Sequence, residues 1–457
     1  METHHHKRSA FSGKLGFVLS AAGASVGLGN IWRFPYLAAK YGGGIFLLIY
    51  IILAFTFGYT MIMAETALGR MTKKSPVGAF SAFGKGPGLS FGGWINAIIP
   101  ILIVPYYSVI GGWVIKYLVE YLRGGGSALA QDGYFSGFIS NGVSVELCFL
   151  AFTLFTLAII FAGVRNGVER VSKCMMPVLA VLSVIIAVYS VTRPGALAGV
   201  KYFLVPNLDN FSWMTVVSAM GQMFYSLSIA MGILITFGSY MKKNVSIEDS
   251  TTNVEIFDTA IAIMAGLMII PAVFAFSGGD PDTLQAGPAL RFITIPKVFD
   301  SMGMGTVVGV LFFVLVLFAA VTSSIALTES AVSTFEDELG WKRHKSTLLI
   351  GVIMVALGSL SALGYGPLGE VTVFGMQFLD LFDFLTNSVM MPIAAIAICL
   401  LVSRVIGVEK IEEEVTQEGG RFRRKAIFNF MIRYLCPLFA AIILVSSVAN
   451  ALGWIKM

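Results

Sequence analysis

The stretch Gly23-Ala-Ser-Val-Gly-Leu-Gly-Asn-Ile-Trp-Arg-Phe-Pro35 lies in the middle of the first long apolar segment, 14–40. A helix that crosses lipid must pair every backbone N–H and C=O within itself, because an orphaned group in hydrocarbon costs several kcal/mol. Here Gly23, Gly27 and Gly29 weaken the helix at membrane depth, and Ser25, Asn30 and Arg33 bring polar groups to the same place. Close packing through small residues explains the glycines but not Asn30 and Arg33. A broken span explains both, provided its freed backbone faces protein, ligand or a watery cavity.

The whole chain fits such a setting. It is 56% hydrophobic and only 12% charged, which is the composition of a multi-pass membrane protein and not of a soluble domain. Its formal charge of +5 is no nucleic-acid signal, and no nucleic-acid partner is expected; the basic residues instead report orientation. Met1–Ala10 is polar and the first apolar run is long enough to span, so no cleavable signal peptide is expected. His4, His5 and His6 have no carboxylate or cysteine companion and read as a solvated terminus. Cys148, Cys174, Cys399 and Cys436 fall within or beside apolar runs, as buried small hydrophobes do, which argues against disulfides or metal ligation.

Apolar runs predict about eleven spans, at 14–40, 43–70, 91–122, 145–163, 167–192, 213–241, 254–277, 304–336, 346–364, 371–403 and 429–452. Lys and Arg gather before span one and after spans two, four, six, eight and ten, which places the N-terminus in the cytoplasm and Met457 outside. Only two connections are long. Gly278 to Gly303 reads as an external loop with short helices, and Val405 to Asn429, acidic and then basic, as a solvated cytoplasmic link.

A second anomaly lies in span six, where Gln222-Met-Phe-Tyr-Ser-Leu-Ser-Ile-Ala-Met-Gly232 puts Ser226, Ser228 and Gly232 at mid-membrane. Interruptions in spans one and six imply two five-helix halves, a pattern that marks a transporter's binding site. The chain divides accordingly into a cytoplasmic N-terminal segment (1–13), a first repeat (14–192), a second repeat (213–403), a cytoplasmic link (404–428) and an eleventh helix with an external C-terminus (429–457).

Gly27-Leu-Gly-Asn-Ile-Trp-Arg-Phe-Pro35, Gly42-Gly-Gly44, Glu65 to Arg70, Gly221-Gln-Met-Phe-Tyr-Ser-Leu-Ser228 and Thr322-Ser-Ser324 occur in this order. Together they resemble the neurotransmitter:sodium symporters, and the bacterial amino-acid transporters among them in particular, from about Arg8 to the end of the chain. The resemblance implies an all-α polytopic protein of the LeuT-like fold, a 5+5 inverted repeat with discontinuous helices 1 and 6. It would sit in the cell (cytoplasmic) membrane, in contact with the lipid bilayer.

By that resemblance a first sodium site would use Ser25, Asn30, Ser226 and Asp258, and would touch the substrate carboxylate. Many relatives have a neutral Asn where Asp258 stands, so the fixed charge of Asp258 would replace the chloride that some relatives need. The alternative reading of Asp258 is a charge at the mouth of span seven. A second sodium site would take carbonyls of Gly23, Val26 and Ala319 and hydroxyls of Thr322 and Ser323, although such hydroxyls often bond back to their own helix. Sodium at about two sites, with no organic cofactor, is the expected ion requirement.

The substrate carboxylate would meet the N–H groups of Gly27, Leu28 and Gly29 and the Tyr107 hydroxyl, helped by the positive end of the following half-helix. The amine would meet carbonyls around Ser25, Tyr225 and Ser228. The side chain would lie among Ile103, Tyr225, Ile229, Met231 and Leu327, with Ser226 beside them. A neutral, hydrophobic α-amino acid fits such a lining. Where relatives often have Gly, Ala230 adds a methyl that could shrink the pocket, while flexible Met231 could enlarge it.

Arg33 and Asp383, with Asp380 as an alternative, match the family's outer gate, and Arg8 and Asp337 its inner ion pair, with Ser239 and Tyr240 nearby. Gly167 and Pro177 match an element of span five that can unwind, or simply mark the start of a helix. Glu65 is expected to brace the broken span six, and Glu329 to line the bundle or the inner pathway. The alternatives to an amino-acid symporter are a sodium symporter for another zwitterion or an amine, or a substrate sensor of the same fold that does not transport. No Ser-His or paired-Asp constellation suggests an enzyme, and the sequence leaves the oligomeric state open.

Overall fold

The computed structural model describes residues 9–278 and 290–454. Arg8, His4, His5, His6, the Asp-Pro-Asp stretch after Gly278 and Met457 lie outside the described residues.

Nine helices among the described residues are long and apolar enough to cross a bilayer. They are Gly44–Thr72, Pro87–Leu122, Gly142–Phe161, Val164–Val191, Ile247–Ser277, Gly305–Leu339, Arg343–Leu363, Phe378–Ile406 and Lys425–Ala451. Two further crossings are broken, as the sequence predicts. The first is Lys14–Ser25 followed by Gly29–Lys40, bent by 53° between them. The sixth is Trp213–Ser226 followed by Ile233–Tyr240, with 227–232 unwound between them.

The third and eighth spans pack against each other at the centre and are mostly buried. The fourth, fifth and eleventh are mostly exposed and show large apolar side chains on the outside, among them Leu147, Leu154, Val181, Val184 and Val445. Such a surface suits hydrocarbon, not water. Gly69 of the second span and Gly238 of the sixth sit where any Cβ would strike the opposing backbone. Their small size lets these two helices cross in close contact, as in other membrane bundles.

Two boundaries differ from the sequence reading. The seventh span begins at Ile247 and not near 254, because Ser246 caps it by accepting the Asp249 N–H at 3.2 Å. Asp258 is therefore about three turns inside the helix, and not at its mouth. The link 404–428 is not a solvated tether. It forms the helix Val408–Thr416, whose Glu414 is buried and paired with Arg70 at 2.7 Å. An acidic run followed by a basic one reads as solvated, but Glu414 and Arg424 meet partners in other spans. In the other long connection, Gly278 to Gly303, the described part contains the short helix Ile295–Ser301.

Candidate functional site

The two breaks lie side by side and supply free backbone and polar side chains to one depth of the bundle. In the sixth span, Ser228, Ala230 and Gly232 have φ of 53°, 59° and 70°. This left-handed conformation suits glycine but strains Ser and Ala. The strain is held from the second span, where Glu65 Oε1 accepts the Ala230 N–H at 2.7 Å. Ser228 Oγ donates to Ala24 O at 2.9 Å and ties the two breaks together.

One cluster gathers side chains from four spans, all of them buried: Asn30, Tyr50, Ser226 and Asp258. Asn30 Nδ2 donates to Asp258 Oδ1 at 2.8 Å. The single Ser226 hydroxyl proton can serve either Asn30 Oδ1 at 3.0 Å or Asp258 Oδ2 at 3.1 Å. Tyr50 OH donates to Ser226 Oγ at 3.1 Å and lies 3.4 Å from Asp258 Oδ2. Tyr50 has no role in the sequence reading; its phenol sits in an otherwise apolar run, where an aromatic residue reads as core. Asp258 has no basic partner among the described residues. A buried carboxylate with only neutral donors is costly, and a ring of hard oxygens around it suits a hard cation.

A second cluster lies where the first half-helix ends. Ser323 Oγ is 3.2 Å from Gly23 O and 3.1 Å from Ala24 O, so the eighth span faces the break directly. Thr322 Oγ1 bonds back to Phe318 O at 2.9 Å and Ala319 O at 3.2 Å, yet a Cβ on Gly23 would come within 3.1 Å of Thr322 Cβ. Carbonyls of Gly23, Ala24 and Ala319 and the two hydroxyls thus share one neighbourhood without any formal charge.

Between the clusters is a cavity of about 30 Å³. Ser25, Gly27, Leu28, Gly29, Ile103, Tyr107, Tyr225, Ser228, Met231 and Leu327 line it, as the sequence suggested, together with Ala24, Asn30 and Ser323. Ser226 turns away into the Asp258 cluster, and Ile229 is buried elsewhere and does not line the cavity. Ala230 does not line it either, so its methyl takes no space from it. Tyr107 OH accepts the Leu28 N–H at 3.3 Å, and a Cβ on Gly29 would strike the Tyr225 ring. The space holds a water or two. A larger guest requires Tyr225 or Met231 to move.

Tyr225 separates this cavity from a chamber of about 470 Å³ that Arg33, Asp380 and Asp383 also line. Arg33 and Asp383 form no direct ion pair among the described residues. Arg33 lies over the Tyr225 ring, 5.2 Å from its centre, and Asp383 Oδ1 accepts from Asn387 Nδ2 at 2.7 Å.

The opposite face is sealed. The Phe11 N–H donates to Tyr240 O at 3.1 Å, and the Phe11 ring packs against Phe17, Phe237 and Tyr240. The Ser12 N–H donates to Glu169 Oε2 at 2.9 Å. Tyr240 OH donates to Glu329 Oε1 at 2.7 Å, and Glu329 also pairs with Arg343. Asp337 accepts the Ser75 N–H at 2.6 Å, while its expected partner Arg8 is outside the described residues. The fifth span opens with the wide turn Val164–Glu169, which contains Gly167, and Pro177 is inside the helix that follows.

Two broken helices, a small cavity between two oxygen clusters and a larger chamber beyond Tyr225 are the parts of a secondary transporter. The sequence profile of the sodium:neurotransmitter symporter family matches residues 8–125 and 136–454. The chain belongs to this family. Its members are sodium-coupled transporters, not enzymes. This symporter is 34% identical over 441 residues to an uncharacterized sodium-dependent transporter of Bacillus subtilis, covering 95% of this chain and 96% of that one. It is 27% identical over 486 residues to the sodium- and chloride-dependent GABA transporter 2 of Macaca fascicularis, covering 94% of this chain and 77% of that one. The crystal structure of MhsT in complex with L-phenylalanine superimposes with a TM-score of 0.86 at 34% identity, covering 96% of this symporter and all of MhsT. The fold is therefore LeuT-like, and the symporter is a multi-pass membrane protein.

Proposed function

We propose that this symporter imports neutral, hydrophobic α-amino acids with sodium, by alternating access and without chloride. The observation that carries the reading is Asp258: a fully buried carboxylate, supported by Asn30, Tyr50 and Ser226 and lacking a basic partner among the described residues. A sodium ion held by Ser25, Asn30, Ser226 and Asp258 would balance that charge, and a fixed anion leaves no need for a mobile one. A second sodium would take the carbonyls of Gly23, Val26 and Ala319 and the hydroxyls of Thr322 and Ser323.

The substrate's carboxylate fits the N–H groups of Gly27 to Gly29 and Tyr107 OH, and its amine the carbonyls near Ser25, Tyr225 and Ser228. Ile103, Met231 and Leu327 offer no charge to an acidic or basic side chain, and the phenylalanine in MhsT supports a hydrophobic one. The chamber lined by Arg33 and Asp383 is then the external vestibule, and the sealed face carrying Phe11 the cytoplasmic one, as the distribution of basic residues in the cell-membrane orientation predicts. Arg33 and Asp383 would close over Tyr225 once the guest is seated.

The test is sodium-driven uptake into chloride-free proteoliposomes of alanine, leucine, phenylalanine and tryptophan, against GABA, glutamate and lysine. Uptake of a neutral α-amino acid that stops when potassium replaces sodium is expected. Uptake of GABA alone would contradict the α-amino-acid reading, and binding without uptake would favour a sensor.

A further inference from the structure

Arg424 immediately precedes the eleventh span and reaches across to the seventh. Its guanidinium grips Glu255 with two prongs, Nη1 to Oε1 at 3.1 Å and Nη2 to Oε2 at 2.8 Å. It also donates to Thr252 Oγ1 at 2.8 Å and to Phe55 O at 3.2 Å, and lies 3.6 Å from the centre of the Tyr59 ring. The backbone is held as firmly, because Glu248 accepts the N–H groups of Arg423 at 2.6 Å and Arg424 at 3.2 Å. A second anchor secures the same link: Glu414 pairs with Arg70 at 2.7 Å and with Lys243 at 2.8 Å.

Glu255 is fully buried. It precedes Asp258 by three residues, so the two carboxylates share one helix face, separated along the axis by about 5 Å. Without Arg424 the seventh span would present two buried negative charges one turn apart. Without Glu255 it would present an uncompensated guanidinium close to the cation's seat.

We propose that Arg424 is a positioning residue for sodium: by neutralising Glu255 it leaves Asp258 as the one net charge that the cation meets. The inference rests on Asp258 being a sodium ligand. It gives the link between the tenth and eleventh spans a part in ion coupling, although it touches neither cavity nor ion.

The experiment titrates sodium against binding of L-phenylalanine to the purified full chain in liposomes. Glu255→Gln should weaken apparent sodium affinity roughly tenfold through the unbalanced positive charge, with L-phenylalanine affinity at saturating sodium nearly unchanged. The double variant Glu255→Gln with Arg424→Gln, neutral and close in shape, should return to within about twofold of the original, a rescue that a mere structural brace would not give. A double variant as impaired as the single, or a single variant with unaltered sodium affinity, would overturn the proposal. Should Glu255→Gln fail to fold, Arg424→Lys decides: it keeps the charge without the fork, and a large loss of sodium affinity would overturn the proposal. Asp258→Asn separates the two levels. If it leaves sodium affinity intact, the sodium reading itself fails; if it abolishes sodium dependence while Glu255→Gln has no effect, only the present inference does.

Discussion

The two oxygen clusters beside the first span's break differ in kind. The Asp258 cluster joins side chains of the first, second, sixth and seventh spans around a formal charge, whereas in the Ser323 cluster one hydroxyl reaches carbonyls of the first span and Thr322 bonds back to its own helix. A cation in the first is held by a fixed anion in a low-dielectric place, where removing the charge leaves little to replace it. In the second it is held by dipoles that must all be well placed, and each contributes modestly. A site of the first kind should set affinity, and one of the second should respond to small movements of the helices that line it.

The largest expected effect comes from removing the charge. Asp258→Asn should weaken sodium-dependent substrate binding by about a hundredfold, the scale of breaking a buried charge interaction, and should make what binding remains respond to chloride. Equal losses from Asp258→Asn and Ser323→Ala would erase the contrast between the clusters. Tyr107→Phe comes next, because it removes the hydroxyl proposed to meet the substrate's carboxylate and leaves both ion clusters whole. Amino-acid affinity should fall roughly tenfold, as for a hydrogen bond to a charged group, with sodium affinity little changed in a titration at saturating substrate. Ser323→Ala removes one neutral ligand and should cost about fivefold in sodium affinity. The smallest effect is expected in the unaltered chain, where exchanging chloride for gluconate at constant sodium should leave uptake unchanged. Clear stimulation by chloride would mean that Asp258 does not supply the balancing charge.

The sequence made both breaks legible because glycine and polar residues in an apolar run conflict with lipid, and that conflict is local. Tyr107 and the Thr322-Ser323 pair were legible through their place in family motifs. Tyr50 was not, since its partners Ser226 and Asp258 are 176 and 208 residues away and nothing in its own span marks it. The same limit hid the docking of 404–428: Glu414 and Arg424 read as solvated charges until Arg70 and Glu255, in distant spans, are seen to be buried beside them. Ile229 was drawn into the cavity by its position in the sixth-span motif, but an unwound backbone has no helical period to fix which way each side chain faces. Among the described residues Arg33 and Asp383 line one chamber without pairing, and Arg33 rests on the Tyr225 ring.

The central claim is that Asp258 is the charged half of a two-part ion site. Its most direct test is the equilibrium binding of radiolabelled sodium to the purified symporter, with and without Asp258→Asn, in chloride-free buffer. The account predicts about two ions per chain in the original, falling by one in the variant while the weaker Ser323 site remains. An undiminished sodium count in Asp258→Asn would contradict it.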